Sequence, residues 1–109
     1  MKEMLRPRVY IRTNLTQMTD KKYERYYGLA RKAAFENWES VMKSDMCGCY
    51  YCGSIFPSYK VTDEDWVPDL HGRTVTCPYC FIDSVIGDAS GIPIQKDVLE
   101  ELYDYWFGD

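Results

Sequence analysis

The spacing of apolar and polar positions changes several times along the chain, and each change marks a predicted element. Arg8-Val9-Tyr10-Ile11-Arg12-Thr13 alternates with the two-residue period of a strand, so residues 1–18 read as an arm or edge strand. Over residues 19–45 the period lengthens to that of a helix, with Thr19 or Asp20 as its N-cap. Tyr23, Tyr27, Ala30, Ala34, Trp38 and Val41 fall on one face of it; Phe35 and Met42 widen that face on one side, Tyr26 and Ala33 on the other. Such an aromatic stripe is expected to pack into a core. Gly28 interrupts it at a cost of roughly 1 kcal/mol relative to alanine, which suggests a close approach of another element. Residues 54–56 and 73–76 are predicted short strands, joined by an acidic loop over residues 62–69, which carries Trp66. Residues 82–92 are rich in Gly and Asp and read as a turn-laden connection. The helical period returns over 94–107. Val98, Leu99, Leu102, Tyr105 and Trp106 face inward there, Asp97, Glu100, Glu101 and Asp104 face water, and Gly108 is the stop.

Composition limits what these elements can build. A chain of 109 residues, 46% hydrophobic and 16% aromatic, supports one domain with a modest core. Neither repeats nor a linker divide it. The first fifteen residues contain no apolar run of signal-peptide length, and no stretch approaches the ~20 apolar residues of a membrane span. The expectation is a soluble, cytoplasmic protein with no membrane contact. Charge is uneven: residues 1–32 hold nine Lys/Arg against three Asp/Glu, and residues 33–109 hold four against fourteen. The favoured reading is neutralisation within the fold or across a homodimer. The other reading is a basic region that meets nucleic acid through Arg6, Arg8, Arg12, Lys21, Lys22 and Arg25, with Tyr10, Tyr23 and Tyr26 interleaved for stacking.

The five cysteines change the picture most. Their odd number and the absence of a leader argue against a disulfide framework. Cys49 and Cys52 form one C-x-x-C pair, Cys77 and Cys80 another, with 24 residues between the pairs. Two residues between thiolates let a tight turn aim both sulfurs at one ion ~2.3 Å away. Gly53 suits a turn that needs positive φ, and Pro78 fixes the start of the second turn. Four thiolates then enclose one metal, with zinc the default. Cys47 is left as the spare: a small buried hydrophobe, an alternative ligand or a redox-sensitive thiol.

Cys49-Tyr-Tyr-Cys52-Gly53 with Cys77-Pro78-Tyr79-Cys80 resembles the paired knuckles of zinc-ribbon and rubredoxin-like domains, with Phe81 standing where glycine is usual. CYYCGSIFPS followed by CPYCFIDSVIGDASG is similar to a group of small, uncharacterised bacterial and phage cytoplasmic proteins with the pattern CxxCGSIFP…CPxCGIDSVIG. The resemblance implies a zinc-ribbon module over roughly residues 47–107 and a bacterial or phage origin, and it implies no activity.

The expected fold is therefore α+β: a small zinc ribbon, its two cysteine knuckles on short antiparallel strands, flanked by a long N-terminal helix and a C-terminal amphipathic helix. The expected segments are residues 1–18 (arm or edge strand), 19–45 (helix) and 46–109 (zinc-ribbon module with the closing helix), in one compact domain. The expected function is a non-catalytic, zinc-bound protein-interaction or regulatory module, of the kind by which a phage or mobile element acts on a host protein. The alternatives are nucleic-acid binding through the basic region, iron-based electron transfer, and a zinc-dependent nuclease. His71 is the sole histidine, so a zinc held by several histidines is excluded. The enzymatic readings rest on His71 with Asn14 and Asn37, or on a Cys47–His71 pair, and no local signature supports them.

Overall fold

A computed structural model describes residues 21–108; the arm at 1–18, the cap at Thr19 or Asp20, and Arg6, Arg8 and Arg12 lie outside them. Among the described residues, three short helices and five short antiparallel strands make a small mixed α/β fold. The helices are α1 (Tyr27–Ala33), α2 (Trp38–Met42) and α3 (Lys96–Trp106). The strands are β1 (Met46–Cys49), β2 (Ile55–Pro57), β3 (Trp66–Pro68), β4 (Arg73–Val75) and β5 (Val85–Gly87). No described helix is long and apolar enough to cross a membrane.

The long helix expected over residues 19–45 is not shown among the described residues. A 3-10 turn at Glu24–Tyr26 leads into α1, and the chain then breaks before α2. At the break Glu36 adopts φ +49°, a left-handed conformation no helix continues through. The amide of Glu36 is held by the Thr74 hydroxyl, which itself donates to the Asp69 carboxylate. The apolar spacing runs across this break undisturbed, yet it serves two cores. Ala30 and Ala34 pack in one, Val41 and Trp38 in the other. Phe35 and Met42 stay exposed.

Strand β1 is the centre of a three-stranded sheet in the order β2-β1-β5, with Cys47 opposite Phe56 on one side and Gly87 on the other. Because side chains alternate across a strand, Cys47 and Cys49 face one way and Gly48 the other. The Gly48 side carries α3: a Cβ at Gly48 would come 2.9 Å from Leu99. On that face Ile86, Ile92, Val98, Leu99, Leu102 and Tyr50 form a core with the α1 alanines. On the opposite face Val41, Cys47, Cys49, Phe56, Val61, Val75, Cys77 and Val85 form a second core, covered by α2 and by the two-stranded β3-β4 ribbon. Two expectations fail here. The acidic stretch holds a strand, β3, and the turn-laden connection holds β5, with Asp88–Ser90 and Gly91 (φ +91°) supplying the turn only afterwards.

Asn37, nearly fully buried, ties the ribbon to the sheet. Its Nδ2 donates to the Val85 carbonyl (2.8 Å) and its Oδ1 accepts from the Val75 amide (2.9 Å). The Arg73 guanidinium lies over the rings of Trp38 and Trp66, at 4.8 and 5.0 Å from their centres, where their faces stabilise its charge.

Helix α3 runs where expected but is rotated slightly. Tyr103 is buried and Tyr105 is mostly exposed, the reverse of the predicted placement of Tyr105. Its acidic face is also more than a solvated surface. Asp97 accepts from the Tyr23 hydroxyl, and Glu101 accepts from the Tyr27 hydroxyl and the Tyr23 amide, all within 2.9 Å. The Trp106 indole donates to the Tyr27 carbonyl. No element crowds Gly28, since nothing lies within 4 Å of where its Cβ would be.

Candidate metal centre

The two C-x-x-C segments fold into the same turn twice. In the first, β1 ends at Cys49, whose carbonyl accepts from the Gly53 amide (2.8 Å) and whose amide donates to the Ser54 carbonyl (2.9 Å). In the second, the Cys77 carbonyl accepts from the Phe81 amide (2.8 Å) and the Cys77 amide donates to the Ile82 carbonyl (3.0 Å). Both turns close through a residue with positive φ: Gly53 at +82°, as its identity suggests, and Phe81 at +67°. Glycine takes that conformation freely, whereas a side-chain-bearing residue is strained by about 1–2 kcal/mol. In the second turn the amides of Tyr79 and Cys80 also point at the Cys77 sulfur, at 3.3 and 3.5 Å. Amides aimed at a sulfur favour its thiolate form. In the first, Cys52 Sγ lies 3.1 Å from Ser54 Oγ.

Topology brings the turns together. The first joins β1 to β2 within one sheet; the second leaves β4 of the ribbon and leads to β5 of the sheet. The cysteines therefore meet at the seam between ribbon and sheet. Cys49 and Cys80 sulfurs are 3.7 Å apart and Cys52 and Cys77 sulfurs 3.8 Å, and all four lie within 4.8 Å of one another. A tetrahedron of thiolates ~2.3 Å from a central ion has edges of about 3.8 Å, whereas a disulfide needs about 2.05 Å. The separations suit a shared ion. Cys49 and Cys77 are fully buried and Cys52 and Cys80 are half-buried. Hydrogen bonding with Cys49 holds the Cys52 and Cys77 thiols below the ordinary thiol range, and the bond with Cys52 pushes Cys49 the other way. Sulfurs so close titrate together, and several can be anionic at once only around a cation.

Four soft donors at this spacing fit a tetrahedral metal such as zinc or iron. All four positions around the ion would be protein thiolates.

No protein-family model, no curated protein and no solved structure matches the chain. The likeness to zinc-ribbon knuckles thus stands on the cysteine geometry alone.

The remaining candidates fall elsewhere. Cys47 sits two residues before Cys49 on the same face of β1, wholly inaccessible to solvent, among Val41, Phe56 and Val85. Burial, then the Asp88 charge, pushes its thiol up to about 12, so it behaves as a small hydrophobe and not as a ready nucleophile. His71 is exposed between β3 and β4, and its backbone amide donates to the Glu36 carboxylate. The geometry brings it into no cluster with cysteines: among the described residues the four-cysteine set is the one group of three or more His, Cys, Asp or Glu able to share an ion. Asn37 is a structural clip. Lys21 and Lys22, just before the first helical run, and Arg25, within its first turn, are exposed. Asp88 has a role that sequence reasoning missed: its two carboxylate oxygens accept from the amides of Asp45 and Met46 and pin the start of β1. Only the pairing of β1 with β5 brings these groups together, so no local spacing announces it.

Proposed function

We propose that the chain is a non-catalytic zinc-ribbon module whose ion fastens its two halves and whose surface binds a protein partner. The observation that carries this is the cysteine tetrahedron at the seam between ribbon and sheet. With four protein ligands the ion has no open position for water or substrate, which is the pattern of structural and not catalytic zinc. For a domain this small, metal binding supplies a large share of the folding free energy. A protein partner is supported by Phe81 and Tyr79 at the second knuckle. Phe81 is 72% exposed and held at positive φ, so neither packing nor backbone comfort calls for phenylalanine there. The likeness of the knuckles to small bacterial and phage proteins supports a host protein as the target. A cytoplasmic location fits thiols kept reduced for metal.

A second reading, nucleic-acid binding, is favoured by Lys21, Lys22, Arg25, Arg31 and Lys32, all exposed on the turn before the first helical run or along it, with Arg25 over the Tyr26 ring at 4.9 Å. It requires binding that weakens steeply as salt rises.

Elemental analysis of protein purified without added metal tests the main reading. About one zinc per chain is expected, and none in Cys77→Ser. Iron in its place, with thiolate charge-transfer colour, would replace the module by an electron carrier. An absence of metal with the thiols oxidised would overturn the metal reading altogether.

A further inference from the structure

Gly28 poses a problem that the core does not answer. It weakens a helical run, has no close neighbour and has no need of positive φ. Its place in the fold is the wall of an open groove between α1, the residues that follow the second knuckle, and the end of α3. The groove has a volume of about 650 Å³, within the range of small-ligand sites. A side chain at Gly28 would project into it.

The groove has three chemically distinct parts. On the α1 wall stand Arg31 and Lys32. Neither is ion-paired with a carboxylate among the described residues; the Arg31 guanidinium rests on the Trp106 ring at 5.3 Å. From the residues that follow the second knuckle, exposed Asp83 and buried Ser84 also line the groove, the Ser84 side chain hydrogen-bonded to Tyr50. The groove's apolar surface is mostly aromatic, from Phe35, Tyr50 and Phe107. Phe107 is held by the Tyr50, Tyr51 and Tyr103 rings at 5.0 to 5.9 Å. Phe35 is 47% exposed and has no ring partner among the described residues.

Each part narrows the guest. Flat aromatic walls select a planar ring over a branched aliphatic chain. Two cations on one helix, without a carboxylate partner among the described residues, match a phosphate monoester, which carries close to two negative charges, better than a single carboxylate. Asp83, which lines the groove from a different element, repels a bare anion and calls for a guest with hydrogen-bond donors away from its phosphate. Guanine presents two adjacent donors, N1–H and its amino group, to one carboxylate; uracil presents one.

We propose that this groove binds a guanosine 5′-phosphate unit, its ring against Phe35 and Phe107, its phosphate on Arg31 and Lys32, and its base edge on Asp83. Gly28 is then the residue that keeps the ring's place open. The site is separate from the cysteines and does not depend on which metal they hold.

Calorimetric titration of the metal-loaded full chain with guanosine 5′-monophosphate tests this. Saturable binding is expected, at least tenfold tighter than for inorganic phosphate, guanosine or uridine 5′-monophosphate. Replacing Arg31 and Lys32 together by Ala is expected to weaken it by roughly tenfold or more, and Asp83→Asn to remove the preference for guanosine over uridine. These three side chains are exposed, so the melting temperature should hold. Gly28→Leu is expected to abolish binding by filling the groove without lowering the melting temperature. A 5′-phosphorylated oligonucleotide beginning with guanosine separates the sources: tighter binding than the free nucleotide assigns a strand end, weaker binding a free nucleotide, and both uphold the groove. Equal affinity for phosphate alone would overturn the proposal. So would no binding at millimolar nucleotide, or unchanged affinity in folded Arg31/Lys32 or Gly28 variants.

Discussion

The two faces of the β2-β1-β5 sheet are built by different means. On the helical face, Ile86, Ile92, Leu99 and Leu102 are large, fully buried aliphatics, and Gly48 lets Leu99 settle close to the strand. At roughly 25 cal/mol per Å² of apolar surface, such a face is held by hydrophobic burial. On the cysteine face, Phe56 is the one large buried side chain among the described residues; the rest are Val41, Val61, Val75, Val85 and three cysteines. That face must also hold on a two-stranded ribbon, and isolated ribbons are marginal in water. What fastens it is polar: one asparagine clip and four sulfurs around a shared point. Where small residues leave too little area to bury, a satisfied amide and four cysteines placed to share a metal take over the fastening.

The comparison can be broken most forcefully at the cysteines. Cys77→Ser is expected to cost on the order of 5 kcal/mol or more, releasing the metal and the ribbon. By contrast Leu102→Ala should cost about 2–5 kcal/mol by leaving a cavity under α3, with metal content unchanged. Denaturant melts read alongside elemental analysis separate the two. A smaller loss is expected at the clip: Asn37→Ala leaves the Val75 amide and the Val85 carbonyl without partners, about 2–3 kcal/mol in chemical denaturation.

On the helical face a pH effect sharpens the contrast. Burial first, then the hydrogen bond to Glu101, pushes the Tyr27 hydroxyl well above its usual 10.0. The folded state therefore keeps its proton where the unfolded chain loses it. This contribution is full below about pH 10 and is lost as pH climbs through the higher folded value. Tyr27→Phe should cost about 1 kcal/mol at neutral pH and flatten the alkaline fall in melting temperature. The smallest effect runs the other way. Phe81→Gly relieves a positive φ with almost no packing to lose, so a gain of about 0.5–1 kcal/mol in the melt is expected, together with loss of any partner that docks on the ring.

The cysteine site was legible because its information is local. Each knuckle is written in four or five consecutive residues, and Gly53 announced its own backbone. The closing helix was legible for the same reason. The helix expected over residues 19–45 misled because its apolar spacing is genuine but is shared by two cores on opposite sides of the sheet. The break at Glu36 is fixed by Thr74 and Asp69, groups far along the chain. Strand β5 hid behind its Gly and Asp neighbours, since a three-residue strand shows too few alternations to register. Asn37 and Asp88 act only through pairings made in the folded state, and short sequence windows carry no trace of them.

Hydrogen exchange with and without a chelator tests most directly whether a metal fastens one face and not the other. The expected result is loss of protection at the knuckle amides of Cys49, Gly53, Cys77 and Phe81 and in the β3-β4 ribbon, while the amides of α3 stay slow. Unchanged exchange at the knuckles, or equal loss over both faces, would contradict the division of labour described for this sheet.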